Sequence, residues 1–282
     1  MDSGLVVPGA TGTMATRPEQ IRRVRAPSRR PEPHTLEDTG YMSTQPRRLG
    51  ILGGMGPLAS AEFVRTIYEH NLAGREQEMP ACILLSDPSI PDRTEAIGSG
   101  TEQEVVAALE QGLACLSRCQ VGPMVIPCIT AHHFLPRIDA SLRFRVVSLI
   151  DVIVNDVAKA QQPHLLFCTN GTRQAGIFEQ SPRWSQIEAH VVLPSDADQE
   201  RIHQDLLYRV KQGDTSEELL GLIKELLAKY QVSAFIAGCT EMHLLTKRLS
   251  VPDAETHGYQ IADPLLTIAR TVRQLLESDG KP

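Results

Sequence analysis

From Arg48 onward the chain alternates short apolar runs with helical patterns, and most of the runs end in a turn rich in Gly, Thr or Pro. Arg48-Leu49-Gly50-Ile51-Leu52 reads as a strand, and Gly53-Gly54-Met55-Gly56-Pro57 as a tight turn whose Pro suits the first turn of a helix over 58–72. The same reading puts strands at 82–86, 122–127, 146–148, 165–168, 191–192 and 234–237. Helices are expected at 102–117, 151–160, 198–211, 216–229 and 264–277, with shorter ones after Cys128, after Thr172 and after Glu241. Residues 86–93, a Pro-rich stretch, read as a loop. Strands that alternate with helices give parallel sheets covered on both faces. Aromatic residues make up only 4% of the chain, so the core is built from Leu, Ile, Val and Ala, which fits layered α/β architecture better than an aromatic-rich sandwich.

The pattern contains an internal repeat. Val121, Val125, Cys128 and His132 align with Val232, Ile236, Cys239 and His243 at one constant offset of 111 residues. The turns at Gly53-Gly54-Met55-Gly56 and Thr169-Asn170-Gly171-Thr172 stand at comparable distances before those cysteines. A length of 282 residues suggests about two domains, and the repeat makes them two similar α/β halves whose facing ends bring two thiols into one cleft.

Six cysteines in a chain of this length do not make a small secreted disulfide scaffold, so reduced thiols are expected. No apolar stretch is long enough to span a bilayer, and the N-terminus lacks the apolar core of a secretory signal; together these point to a cytoplasmic protein. The net charge of −6 is split unevenly: residues 1–48 carry eight Arg, no Lys and five acidic residues, which leaves the rest of the chain at −9. That balance speaks against nucleic acid as a partner. The first segment, 1–47, mixes Pro, Gly, Ser, Thr and Arg without hydrophobic periodicity and reads as a disordered extension.

In α/β sheets ligands bind beyond the carboxyl ends of the strands, where Cys128 and Cys239 both stand. A thiol at a helix N-terminus has its pKa lowered from about 8.5 toward the physiological range. One thiolate and one thiol can then remove a proton from one face of a carbon and return it to the other. Cys82, Cys115, Cys119 and Cys168 read as inert. Backbone N–H groups in the turns 54–56 and 170–172 suit a carboxylate, and Arg93, in the loop after a strand, suits a second one. The first turn does not match the G-x-G-x-x-G dinucleotide pattern, so no nucleotide cofactor is indicated. A competing arrangement pairs Cys128 with His132 and Cys239 with His243 as four metal ligands.

Four motifs in order, Gly53-Gly54-Met55-Gly56-Pro57, Ile90-Pro91-Asp92-Arg93-Thr94, Pro127-Cys128-Ile129-Thr130-Ala131-His132 and Gly238-Cys239-Thr240-Glu241, resemble cofactor-independent aspartate racemases of the aspartate/glutamate racemase superfamily over about residues 48–278. The resemblance implies two pseudo-symmetric three-layer α/β domains with mostly parallel sheets and an interdomain active site. It divides the chain into 48–148 with the C-terminal helix 263–278, and 149–262. It implies no pyridoxal phosphate and no metal, an amino-acid substrate, and a homodimer. Cys128 and Cys239 become the acid/base pair; Arg93 binds a substrate carboxylate, helped by Lys211. Thr130, Thr172 and Thr240 hold a carboxylate with the turn amides, and Met55, Gly56, Ile129, Asn170, Gly171 and Glu241 complete the expected site. The departure is Ile129, where the family usually has Asn: an alkyl group cannot hold the substrate's amino-acid end. Ala175 and Phe178, where hydroxyl-bearing residues are common, point the same way. The expected activity is therefore amino-acid racemisation, with a relative acting on a non-amino carboxylic acid, as isomerase or decarboxylase, as the alternative.

Overall fold

The computed structural model describes residues 47–249 and 258–278; the expected disordered extension lies outside them apart from its last residue. In chain order the elements are β1 (Leu49–Gly53), α1 (Pro57–His70), β2 (Cys82–Ser86), α2 (Arg93–Ser99), α3 (Glu102–Arg118), β3 (Met124–Val125), α4 (Ala140–Arg143), α5 (Leu149–Ala160) and β4 (His164–Cys168). There follow α6 (Asn170–Gln174), β5 (Val191–Val192), α7 (Asp196–Arg201), α8 (Arg209–Lys211), α9 (Glu217–Lys229), β6 (Ala234–Gly238), α10 (His243–Leu249), β7 (Gln260–Ala262) and α11 (Pro264–Glu277). A π-helical stretch, Ile202–Tyr208, joins α7 to α8.

Every strand pairing is parallel. The first sheet has the order β2-β1-β3 and the second β5-β4-β6-β7. The repeat is visible in these orders: β2-β1-β3 corresponds to β5-β4-β6, with β7 added outside. It extends to backbone detail, because Gln120 and Gln231, 111 residues apart, both take the left-handed conformation at φ 55° just after α3 and α9.

Alternating side chains along each strand feed two layers. Leu49 and Ile51 of β1, Leu166 and Cys168 of β4, and Ile236 of β6 face one shared central layer with Phe63 of α1, Ile153 of α5 and Ile268 of α11. Their neighbours face outward: Leu52 meets Leu109 and Leu113 of α3, and Phe167 and Phe235 meet Leu206, Ile223 and Leu227. The C-terminal helix is tied into the central layer by polar contacts as well. Asn71, just after α1, donates to the Ala269 carbonyl at 2.7 Å, and Thr267 donates to Asp156 of α5 at 2.6 Å.

The structure departs from expectation in several places, each with a local cause. The expected loop 86–93 ends one residue early and a helix not expected from the sequence runs over 93–99, because the Asp92 side chain accepts from the Thr94 and Glu95 amides and caps α2. β3 is two residues long, flanked by Pro123 and Pro127, which offer no N–H to a ladder. The segment after Cys128 is a 3-10 helix, Thr130–Arg137, containing Pro136. Residues 146–148 make a single parallel bridge, Met124 to Val146, instead of a strand.

Gly221 lies mid-α9 on an exposed position with open space around it. Gly221→Ala is expected to raise stability by about 0.5–1 kcal/mol, read from the denaturant midpoint.

Candidate active site

The carboxyl ends of β1, β2, β3, β4 and β6 converge on one small cavity. Met55 reaches it from the turn after β1, Arg93 from the start of α2, Cys128 and Thr130 from the end of β3. Cys239, Thr240 and Glu241 enter from the end of β6 and Lys211 from the end of α8. Both cysteines are buried, Cys128 to 6% and Cys239 to 5% exposure. Asp92, Thr94 and Thr169 also line the cavity, and the sequence reading did not include them. Their signals were present: Asp92 and Thr169 are the N-cap residues of α2 and α6.

Other expected residues lie elsewhere. Ile129 points away from the cavity into the central apolar layer, as do Ala175 and Phe178, so none of the three touches the site. Asn170 is turned toward Glu200 and Gln199, its side chain donating to Glu200 at 2.9 Å and accepting from Gln199 at 3.1 Å. Three of the six turn amides of the expected carboxylate cradle are committed to side chains. The Gly54 N–H donates to Ser60 Oγ, the Asn170 N–H to His203 Nδ1, and the Thr172 N–H to Thr169 Oγ1. Hydroxyls take over that wall: Thr130 Oγ1 lies 3.2 Å from Thr169 Oγ1 and 2.9 Å from Thr172 Oγ1. Thr240 Oγ1 donates to the Pro127 carbonyl at 2.8 Å, tying the second cysteine's turn to the first's.

Two glycines hold this geometry by close approach. A Cβ on Gly56 would stand 2.5 Å from Glu241 Oε1, and one on Gly171 would stand 2.8 Å from the Thr94 Cα. The second contact joins α6 to α2 across the cavity wall. Gly171→Ala is therefore expected to cost about 1–3 kcal/mol, opposite in sign to Gly221→Ala when both are read from the denaturant midpoint.

The cavity carries two cations, Arg93 buried and Lys211 half-buried. Arg93, 8% exposed, is held in place by the Ile90, Pro91 and Met55 carbonyls. Burial opposes its charge, but Cys128, Asp92 and Glu241 outweigh burial and raise its pKa. Burial likewise opposes the Lys211 charge, and Cys239, Glu241, Tyr208 and Asp92 outweigh it. The Lys211 ammonium sits 4.5 Å from the centre of the Tyr208 ring. That ring takes the edge of His203 at 4.7 Å. The π-helical stretch carries both His203 and Tyr208, and the wide turn sets the register at which Lys211 arrives.

The two thiols are not equivalent. Cys239 donates to Glu241 Oε2 at 2.8 Å. Burial first, then the Glu241 charge, push its pKa well above the ordinary thiol value, with Lys211 pulling the other way. The expected lowering by a helix N-terminus is thus overturned at Cys239, where only a three-residue 3-10 turn follows before α10. Cys168 and Cys82 are pushed up by burial to about 12 and about 11, in keeping with inert thiols. All six cysteines are free.

The competing metal arrangement fails on ring geometry. His132 Nε2 accepts the Leu149 N–H at 3.1 Å, so the proton sits on Nδ1, which donates to the Cys128 carbonyl at 2.9 Å. Burial lowers the pKa of this neutral ring. His243 Nδ1 meets Asp263 Oδ2 at 2.7 Å and its Nε2 meets Thr66 Oγ1 at 2.9 Å. Neither histidine has a ring nitrogen to spare, and among the described residues no cluster of three or more His, Cys, Asp or Glu is arranged to hold a metal ion. No helix among them is long and apolar enough to cross a membrane.

Known proteins share this architecture. The chain is 22% identical over 201 residues to the broad specificity amino-acid racemase RacX of Bacillus subtilis, spanning 69% of this chain and 86% of that protein. The aspartate racemase of Picrophilus torridus superposes with a TM-score of 0.67 at 25% identity, covering 84% of this chain and 95% of that one. The glutamate racemase of Campylobacter jejuni, at 18% identity and a TM-score of 0.53, covers 83% and 88% and shares the fold. The Asp/Glu/hydantoin racemase family model matches residues 52–270, well over half of the chain, and the chain belongs to that family.

Proposed function

We propose that the protein is an amino-acid racemase of the aspartate/glutamate type, working without a cofactor by proton transfer at Cα between Cys128 and Cys239. The observation that carries this reading is that both cysteines, from corresponding strand ends of the two sheets, line one small cavity together with the cations Arg93 and Lys211. Cys128, beside the Arg93 guanidinium, is the base for one enantiomer; Cys239, held as a thiol against Glu241, is the acid that reprotonates the opposite face. Arg93, helped by Lys211, takes one substrate carboxylate, and the hydroxyls of Thr130, Thr172 and Thr240 hold the other, with Thr169 beside them. The halves are 48–148 with 263–278, and 149–262. The chain acts as a cytoplasmic enzyme and forms a homodimer.

The non-amino alternative rests on Ile129. Because that side chain packs in the core, it places no demand on the substrate and favours neither reading.

Incubation with L-aspartate in deuterated water tests the proposal. The expected result is loss of optical rotation together with deuterium at Cα of the product. Inversion without solvent deuterium, or no turnover of any acidic amino acid, would sink it.

A further inference from the structure

Three buried side-chain atoms among the described residues have no hydrogen-bond partner, and two of them belong to residues lining the cavity: Arg93 Nε, a donor, and Glu241 Oε1, an acceptor. Leaving a buried charged group's atom unpaired is costly, so a site that keeps such atoms is shaped for a ligand that brings the missing partner. The donor calls for an anion and the acceptor for a cation. Glu241 is only 2% exposed, and its other oxygen is already engaged by Cys239. The chain also makes room for Oε1, because any side chain at position 56 would collide with it.

The charge inventory narrows the ligand. Arg93 and Lys211 are the cavity's cations. Of its anions, Asp92 is committed through Oδ1 to two amides of α2, which leaves Glu241 as the one with an unpartnered buried oxygen. Unpartnered donor and acceptor atoms of opposite charge in one cavity fit a molecule that carries both carboxylate and ammonium groups. A dicarboxylate without the amino group would bring only negative charge toward Oε1.

Resting on the racemase reading above, we propose that Glu241 is the specificity residue of the site. Its Oε1 accepts the α-ammonium of the substrate while its Oε2 keeps Cys239 as a thiol, so the site takes amino dicarboxylates and rejects those lacking the amino group.

Calorimetric titration of wild type and Glu241→Gln with racemic aspartate and with succinate tests this, since neither ligand needs turnover to be read. Wild type is expected to bind aspartate at least about 10-fold more tightly than succinate, and the Gln variant to lose about 10- to 100-fold toward aspartate while binding succinate as well or better. Equal losses for both ligands indicate a merely structural role and overturn the proposal. So does an unchanged ratio, or failure of wild type to bind either at millimolar concentration. A second readout is the pH dependence of Cys239 alkylation, followed by peptide mass spectrometry. The Gln variant is expected to be alkylated at lower pH, and an unshifted profile counts against the proposal. Deuterium incorporation by wild type with no change of ligand ratio in the variant defeats the role of Glu241 and leaves the racemase standing. A ratio that collapses in the variant without deuterium incorporation by wild type does the reverse.

Discussion

Cys128→Ser and Cys239→Ser are each expected to reduce racemisation by at least about 1,000-fold, because a hydroxyl at either position is far too weak an acid or base for the transfer, and positioned proton transfer contributes about 100- to 10,000-fold per step. Substrate affinity should change little, since Arg93 and Lys211 remain. The two variants should also differ from each other. With one thiol left, a proton can still leave from that side and return to it, so each variant exchanges the Cα hydrogen of one enantiomer for deuterium without inverting it. Cys128→Ser and Cys239→Ser should then label opposite enantiomers. Chiral chromatography with mass detection reads both quantities, and equal labelling of the two enantiomers by either variant would contradict a two-sided site.

The second large effect concerns stability. Asp263 is buried at the start of α11, where Oδ1 accepts the Leu265 and Leu266 amides and Oδ2 meets His243 Nδ1 and the Thr246 hydroxyl. Asp263→Ala leaves His243 Nδ1 and two helix amides without this acceptor, and removing one partner of such a buried pair costs about 3–5 kcal/mol. Denaturant unfolding checks it, with Asp263→Asn expected to fall between, since the amide keeps a cap but loses the charge. Burial works against the Asp263 carboxylate, but His243 and Thr246 outweigh it and hold its pKa below the ordinary value. A depressed folded pKa stabilises above the unfolded value of about 3.9 and loses that contribution as pH falls through the lower folded value. The acid limb of the stability curve should therefore be shallower in Asp263→Asn than in wild type.

Much of this architecture is legible in the sequence because it depends on local periodicity. The strands at 82–86 and 234–238 and the helix at 217–229 follow from runs and patterns that tertiary context does not alter. The constant spacing between Cys128 and Cys239 likewise carries over into matching strand orders. What was illegible depends on direction or on surroundings. Ile129 stands between two residues that line the cavity, yet its side chain leaves on the opposite side of the turn, and no pattern in the sequence tells which. The high pKa of Cys239 arises from enclosure and from Glu241 two residues on, so a rule about helix ends gave the opposite sign. The helix at 93–99 was hidden by Pro91, although Asp92 followed by Glu95 is a capping signal in its own right.

The shared central layer bears on how the molecule comes apart. Apolar residues of β1, β4 and β6 meet there beneath α1, α5 and the closing helix α11, so neither half owns a complete set of packing partners. A chain cut between α5 and β4 would leave each fragment with one face of its sheet uncovered. The halves are thus obliged to melt together, in one cooperative transition, and the cleft between them inherits the rigidity of the whole.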